Sequence, residues 1–487
     1  MKRLLIVIFA GFAFAKEYSV DSIDSLRNAL SDIEKIGEDG VINIKNGKYV
    51  VNSPLLYTND RTQKITINGN DSIFEAKSSQ IFIFNNRLLT VTFNNIVLKN
   101  ASSDDSGGAI FSNGSLITNY STFKNNRGIN GGAISANSIT VNSSNFEDNE
   151  ALHGGAIDAL EDVVVNKTTF RSNSAKYGGA IIAKLANISY SSFSYNSAEI
   201  GGAVSVDDSL YISNSIFKNN SAIYGGALAA SSNNTILASR FKNNFATYGG
   251  AIIVEDDLTV KNSLFLKNVS TYGAGIAAKT CNINNSTFLD NFATKYASAV
   301  YAGGKIENSI FLNRVDEIVL SDDLTINSSS IDEGRVFKNS YNLSLSNIYN
   351  LTLDDLALVD DFRLSSNSKA ISKANSNATT YDIDNNRRDS SADIGASEFA
   401  SNAKRVGDMG IKLFIDKLDS GWSLVSFDED TYLDNNIFNT LKSIWVFRDK
   451  KWFAYSKDSD TIKSMNDNHI KEVEKIYSYD GVWIRKP

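Results

Sequence analysis

The sequence predicts an all-β solenoid: a right-handed parallel β-helix of about 12 turns, with an N-terminal capping helix and a small C-terminal α+β domain. Two motifs with a common period lead to this prediction. A glycine pair returns every 23 or 24 residues, with its first glycine at Gly107, Gly131, Gly154, Gly178, Gly201, Gly225 and Gly249, and weaker copies at Gly273 and Ala297. Between the copies, asparagine follows three residues after each of Phe123, Phe146, Phe170, Phe193, Phe217, Phe241, Phe265 and Phe288. Such a period is typical of stacked repeats that bury apolar faces against one another.

Within one repeat, apolar and polar residues alternate as in short β-strands. Ala251 and Ile253 alternate in one run, Leu258 and Val260 in the next, and Phe265 lies in a third. Alternation at period two over such short runs predicts strands rather than helices. Three strands and the bends between them would make one turn, and successive turns would lie about 4.8 Å apart.

The motif residues are expected to serve the bends and the stack. The glycine pair permits a bend that a Cβ would obstruct. The asparagine is expected in a left-handed corner, with its side chain forming a ladder from turn to turn. The tyrosines before the glycine pair should form one stacked row: Tyr177, Tyr224, Tyr248, Tyr272 and Tyr296. Cys281 takes the place of Leu258 one turn earlier, so we expect it to be buried.

Together the two motifs resemble the repeats of the polymorphic membrane protein family of bacterial surface adhesins and autotransporter passengers. The resemblance covers about residues 107–314. It implies a secreted or surface-displayed, outer membrane-associated protein that binds a cell-surface protein or carbohydrate ligand without catalysis. Members of that family usually end in a large membrane β-barrel, for which residues 401–487 are too short.

The N-terminus has the pattern of a secretory signal over residues 1–15: two basic residues, an apolar run and Ala-Phe-Ala. No transmembrane segment is expected after it. Residues 16–60 are predicted to form a cap, because residues 21–36 carry apolar side chains at helical spacing. This entrance resembles the start of pectate-lyase-like β-helix proteins, in which a helix covers the open end of the core.

Charge and composition exclude several classes of function. The formal net charge is −7, so no basic field exists to attract nucleic acid. One cysteine and two histidines exclude internal disulfides and metal sites of the Cys/His type. No organic cofactor is expected.

The solenoid is predicted to end near residue 400 with the segments 360–372 and 382–399. These segments resemble the terminal motif of the choice-of-anchor β-helix proteins, which implies a last coil followed by a strand at Asp-Ile-Gly-Ala-x-Glu. Four carboxylates of this motif are candidate Ca²⁺ ligands: Asp382, Asp384, Asp393 and Glu398. The alternative is that they bond turn amides and Arg387 or Arg388.

Residues 401–487 differ in composition, since they hold all four tryptophans of the chain. Helical patterns over 431–443 and 461–475 lie between the tryptophan-containing runs. We therefore predict a small α+β domain.

Acidic turns at one place in successive repeats are the remaining candidates for chemistry. Asp207 and Glu255 would lie in equivalent turns, with Lys184 on a neighbouring one. Clustered carboxylates serve acid and base work in β-helix glycosidases and lyases. The alternative to a binding function is therefore a polysaccharide lyase or glycoside hydrolase acting on acidic polysaccharide, and the other interpretation of these residues is a solvated charged turn.

Overall fold

The computed structural model describes residues 15–313, 316–337, 341–359, 363–384, 387–388 and 391–397, together with 421–426, 431–432, 443–448, 451–456, 462, 470–472, 475–476 and 481–486. Residues 1–14 of the predicted signal segment lie outside the described residues. The chain divides into two compact units, Met1–Phe399 and Ala400–Pro487.

The first unit is a parallel β-solenoid of about 13 turns, which confirms the predicted fold class. Its helices are α1 (Ile23–Ile36) and α2 (Leu353–Leu356), with a 3-10 turn at Glu333–Arg335. Its strands are β1 (Lys16–Val20), β2 (Gly40–Ile44), β3 (Lys48–Val51), β4 (Leu55–Tyr57), β5 (Gln63–Ala76), β6 (Phe82–Phe84), β7 (Leu89–Lys99), β8 (Ile110–Asn119), β9 (Thr122–Lys124), β10 (Ile134–Asn142), β11 (Asn145–Glu147), β12 (Ile157–Asn166), β13 (Thr169–Arg171), β14 (Ile181–Ser189), β15 (Ser192–Ser194), β16 (Val204–Ser213), β17 (Ile216–Lys218), β18 (Leu228–Ala230), β19 (Asn234–Leu237), β20 (Arg240–Lys242), β21 (Ile252–Val254), β22 (Asp257–Lys261), β23 (Leu264–Leu266), β24 (Val269–Tyr272), β25 (Ile276–Asn284), β26 (Thr287–Leu289), β27 (Phe292–Tyr296), β28 (Val300–Glu307), β29 (Ile310–Leu312), β30 (Ile318–Val319), β31 (Leu324–Asn327), β32 (Val336–Phe337), β33 (Leu343–Ser346), β34 (Leu358–Val359) and β35 (Arg363–Leu364). Strands β24 and β27 pair with each other, as do β34 and β35, and the other 31 form one continuous sheet.

Each turn stacks in register on the next, so that like residues form inward columns. The short strand β11 pairs with β13 so that Phe146 faces Phe170. The buried phenylalanine rings lie 4.5–5.0 Å apart, centroid to centroid, and nearly parallel, in the order Phe123, Phe146, Phe170, Phe193, Phe217, Phe241, Phe265, Phe288 and Phe311. Cys281 pairs in register with Leu258 and is buried, as predicted.

The glycine pair makes a tight bend in the regular repeats. Gly225 has a φ of +66°, in the left-handed region that favours glycine. A Cβ on the next residue, Gly226, would lie 2.1 Å from the carbonyl oxygen of Gly250 in the following turn. In the regular repeats, glycine therefore serves the bend twice, once for backbone conformation and once for the close approach of two turns.

A ladder of buried asparagines runs along the same corner of the stack. The Oδ1 of Asn220 accepts from the backbone N–H and from the Nδ2 of Asn196, both at 3.0 Å. Its Nδ2 donates to the Phe193 carbonyl at 3.1 Å and to the Oδ1 of Asn244 at 3.0 Å. All hydrogen-bonding positions of the carboxamide are thus used, as a buried amide requires. The same pattern extends through Asn126, Asn149, Asn173, Asn196, Asn220, Asn244, Asn268, Asn291 and Asn313.

Three expectations about the repeat need correction. The ladder asparagines do not occupy the left-handed corner; from Asn126 to Asn291 the residue before each one does, as at Asn219 with a φ of +55°. In the run after the glycine pair, Ile252 and Val254 are buried and Ile253 is half-buried on the outer side, because the bend shifts the phase of alternation. The tyrosine row is interrupted, since Ile200 stands between Tyr177 and Tyr224.

Helix α1 covers the N-terminal end of the core, as predicted. The Ser22 side chain accepts from the backbone N–H of Ser25 at 3.1 Å, which starts the helix. Gly37 ends it in a left-handed conformation. The helix buries Leu26, Ala29, Leu30 and Ile33 against the first turns, where apolar interior would otherwise face water.

The predicted terminal motif does not form a further coil with a final strand. Described residues 391–397 form a turn and bends, which contradicts the strand expected at Asp393. The return segment (described residues 375–384, 387–388 and 391–397) instead lies against the outside of earlier turns. Its apolar residues Ile383 and Ala396 pack on Leu264, Leu266 and Leu289 of the solenoid. Those leucines point outward, so burying them explains why the segment folds back.

The second unit consists largely of strands where it is described: β36 (Gly421–Ser426), β37 (Thr431–Tyr432), β38 (Ser443–Arg448), β39 (Lys451–Ser456), β40 (Lys471–Glu472), β41 (Lys475–Ile476) and β42 (Gly481–Lys486). Five of them form a sheet in the order β36-β42-β38-β39-β40, and β37 pairs with β41. The sequence predicted helices over 431–443 and 461–475. Both predictions are wrong where the structure has a strand instead, at β37 in the first range and at β40 in the second. Pairing with neighbouring strands overrides local helical spacing there.

Replacement of Gly226 by valine should lower the free energy of unfolding by at least about 2 kcal/mol, because the new side chain collides with backbone. In a stack whose turns contact only their neighbours, protease sensitivity should appear first near residues 201–250. Limited proteolysis with fragment mapping tests this. The matched control Thr235→Val, on a half-buried outer position, should remain resistant; equal resistance of both variants would contradict the stacked-turn bend.

Replacement of Asn220 by alanine should lower the free energy of unfolding by about 3 kcal/mol. The change leaves two donors of Asn196 and the carbonyl of Phe193 unpaired in the interior. Chemical denaturation measures the effect against Asn137→Ala, whose amide makes one long contact of 3.5 Å to Ser138. If the two variants are equally stable, the ladder does not stabilise the stack.

Candidate functional site

The predicted acidic residues lie at one position of successive turns. Lys184, Asp207 and Glu255 directly follow Ala183, Val206 and Val254, which occupy one column of the paired strands. All three side chains are exposed. Because Ser231 occupies the intervening turn, Asp207 and Glu255 are two strand spacings apart, roughly 10 Å. The structure therefore places them on one exposed ridge of successive turns.

Lys184 is not available as a proton acceptor in this ridge. Its Nζ lies 3.0 Å from an Oε2 of Glu161 in the preceding turn. The hydrogen bond to Glu161, followed by the charge of that carboxylate and of nearby Asp208 and Asp162, raises the pKa of Lys184. A lysine that acts as a base needs the opposite shift. The pair is a half-exposed surface ion pair and carries no catalytic signature.

Asp158 is the one carboxylate of this region with a distinctive environment. It lies half-buried in strand β12, between Ser135 and Ile182 of the neighbouring turns. Burial, assisted by the charge of Asp207, raises the pKa of Asp158 to about 6. A carboxylic acid with a raised pKa is a feature of many acid–base sites. Asp207 lies two turns further along the stack, because Ile182 occupies the turn between them.

The Ca²⁺ candidates are bound to the chain itself. Asp384 lies 2.5 Å from Arg240 and 2.8 Å from Arg363. Burial raises the pKa of Asp384, but the two guanidinium groups outweigh it and the pKa is lowered. Asp382 accepts from the Asp384 amide, and Asp393 accepts from the Ser372 amide at 2.8 Å.

Asp382 and Asp393 thus accept hydrogen bonds from backbone amides, as in the predicted alternative to a Ca²⁺ site. The arginines that pair with Asp384 are Arg240 and Arg363, which the prediction did not name. Arg388 donates to the backbone carbonyls of Asp393, Gly395 and Ala396. Glu398 lies outside the described residues. Within the described part of the chain, no three His, Cys, Asp or Glu side chains converge so as to hold a metal ion.

An exposed column of tyrosines runs along the solenoid just before the glycine bends. Tyr224, Tyr248 and Tyr272 stack with ring centroids 5.2 Å apart and planes within 8°. Tyr296 continues the column with a tilted ring at 6.0 Å. Exposure of 42% at Tyr224, 38% at Tyr248 and 47% at Tyr296 leaves ring edges and hydroxyl groups facing solvent. This tyrosine column is rigid, because each ring is held by its neighbours.

A buried glutamate at the end of the asparagine ladder escaped sequence reasoning. The Oε1 of Glu317 accepts from the backbone N–H of Asn313 at 2.9 Å. In earlier turns, the Oδ1 of the next ladder asparagine accepts the equivalent bond. Its Oε2 has no hydrogen-bond partner among the described residues. Burial raises the pKa of Glu317 to about 7, against the opposing effects of the Asn313 amide and of Arg335. In the sequence, this change was signalled by the absence of a ladder asparagine in the turn after Asn313.

The fold and these surfaces define a repeat solenoid with exposed aromatic and charged columns. No family model matches the chain, and no curated protein matches it. Among the described helices, none is both long and apolar enough to cross a bilayer.

Glu317 should make the stability of the solenoid depend on pH. Its pKa in the folded chain, about 7, lies above the ordinary value of 4.5, so the folded chain holds this proton more tightly than the unfolded chain. The stabilisation is therefore complete below pH 4.5 and falls as the pH rises to about 7, by about 3 kcal/mol.

The variant Glu317→Gln should lose this part of the pH dependence. Urea unfolding at pH 5 and pH 8, compared between the parent chain and the variant, measures it. The exposed Glu255→Gln change is the control and should retain the parent difference. An identical difference in the parent and in Glu317→Gln would contradict the assignment.

Proposed function

We propose that the protein is a secreted or surface-displayed β-solenoid that acts by binding a cell-surface protein or carbohydrate ligand, without catalysis. The tyrosine column is the observation that carries this proposal. Stacked tyrosines offer a large amphipathic surface that loses little conformational entropy on binding, because their rings are already ordered. Exposed aromatic rows of this kind mark interaction surfaces.

Further observations support a binding role at the cell surface. The repeat motifs resemble those of the polymorphic membrane protein family, whose members are adhesins, and residues 1–15 have the pattern of a secretory signal. A solenoid displays its columns over a long, nearly straight face, which suits contact with an extended ligand. The net charge of −7 disfavours nucleic acid as the partner.

The tyrosine column can be removed without disturbing the stack. Asparagine stands in the same column at Asn130, so Tyr→Asn changes at Tyr224, Tyr248, Tyr272 and Tyr296 are compatible with the repeat. We expect the fourfold variant to lose at least about tenfold in affinity in a screen against immobilised glycans and cell surfaces. Tyr211→Asn, an exposed tyrosine outside the column, is the control. Equal binding by parent and fourfold variant would refute the role of the column.

A second candidate function rests on Asp158. With Asp207 nearby as a second carboxylate, it would supply a protonated acid for a glycoside hydrolase or polysaccharide lyase acting on acidic polysaccharide. Release of reducing or unsaturated ends from a polysaccharide panel tests this, with Asp158→Asn and an Asp207→Ala/Glu255→Ala variant as controls. Turnover by the parent that both variants lose would replace the binding proposal.

A further inference from the structure

Two exposed tyrosines occupy backbone positions that suit a tyrosine poorly. Tyr190 has a φ of +50° and Tyr195 a φ of +58°, in the left-handed region that bulky residues avoid. The equivalent corners one turn later hold Asn214 and Asn219, which tolerate this conformation. The rings are 57% and 48% exposed, so burial in the core does not compensate for the strain. Strain of this kind is often retained where a side chain serves a function.

The two tyrosines flank a shelf of small side chains. They stand just before and just after strand β15, whose outer residues are Ser192 and Ser194. The strand spans roughly 10 Å at the usual rise per residue. Because serine is short, the shelf lies lower than the outer side chains of the neighbouring turns, Arg171 and Lys218, which align with Ser194. The result is a shallow channel with an aromatic ring at each end.

The channel is bordered by positive charge in an acidic protein. Arg171 and Lys218 lie on either side of Ser194, and Lys167 occupies the corner one turn before Tyr190. Among the described residues, none of these three cations forms an ion pair with a carboxylate. The Arg171 guanidinium lies 6.0 Å from the ring centroid of Tyr195 instead.

Two other cations of the same face pair with carboxylates. Lys124 lies 2.7 Å from Glu147, and Arg240 lies 2.5 Å from Asp384 of the return segment. The return segment thus shows what this face accommodates: a segment that places a carboxylate on a basic side chain and apolar groups on the strands. The channel lies further along the same face. No described residue of the return segment contacts it there.

We propose that the patch formed by Lys167, Arg171, Tyr190, Tyr195 and Lys218 binds an anionic polysaccharide. The carboxylate or sulfate groups would pair with the three cations. The apolar faces of the sugar rings would stack on the exposed ring of Tyr190 and on the face of Tyr195 that Arg171 does not cover. This site is separate from the tyrosine column and goes beyond the binding role proposed above.

The experiment uses three polymers with one backbone: dextran, carboxymethyl dextran and dextran sulfate of equal length. The purified protein should bind a charged polymer and not neutral dextran, and the comparison of the two charged polymers identifies the preferred anion. The variant Tyr190→Asn/Tyr195→Asn should bind about tenfold more weakly. It should be at least as stable as the parent, because asparagine tolerates the left-handed corner. Tyr120→Asn is the control, since Tyr120 has a φ of +53° and 68% exposure but lies three turns away.

A second variant, Arg171→Ser/Lys218→Ser, removes two of the positive charges. Serine should fit at both positions, because Ser194 already occupies the same column between them. It should bind more weakly and show a smaller dependence of affinity on salt. Unchanged affinity in the tyrosine variant, or equal binding of neutral dextran, would overturn the proposal. If the parent binds cells through the tyrosine column but no charged polymer, this site is refuted while the proposed function stands.

Discussion

The fold depends on one constraint: each turn must offer hydrogen-bond donors and acceptors where the next turn needs them. Backbone pairing alone satisfies the strands, but the corners require side chains. The asparagine ladder meets this need inside the core, since each carboxamide bonds backbone and side chain of the turn before and side chain of the turn after. At another corner, the glycine pair lets the backbones of successive turns approach closely. The surfaces that could bind a ligand are consequences of this spacing, because any outward residue repeated in register becomes a column.

The repeat made most of the solenoid predictable. A fixed period aligns residues across turns, so the burial of Cys281 beside Leu258 followed from counting. The period does not reveal the phase of a bend, and the asparagine and Ile253 were therefore assigned to the wrong positions within the turn. The return segment was missed for a different reason. Its partners are outward leucines more than a hundred residues earlier, and local sequence carries no sign of such contacts.

The candidate sites differ in how visible they are in sequence. Acidic turns and the tyrosine column repeat, so both could be located, although only coordinates show that Lys184 is paired with Glu161. Tyr190 and Tyr195 stand out only as exceptions to columns in which asparagine is common, and their meaning depends on backbone conformation. Asp158 and Glu317 required knowledge of burial, which no spacing provides.

The asparagine ladder also has a direction. Each Oδ1 accepts from the preceding turn and one N–H of each Nδ2 points to the following turn, so the carboxamide dipoles from Asn126 to Asn313 add rather than cancel. The column is a side-chain counterpart of the helix macrodipole, with its positive pole toward the last turns. Glu317 stands at that pole, where its Oε1 accepts a hydrogen bond from the backbone N–H of Asn313. The interior of the solenoid is therefore electrically polar along the ladder, although the side chains that surround it are largely apolar.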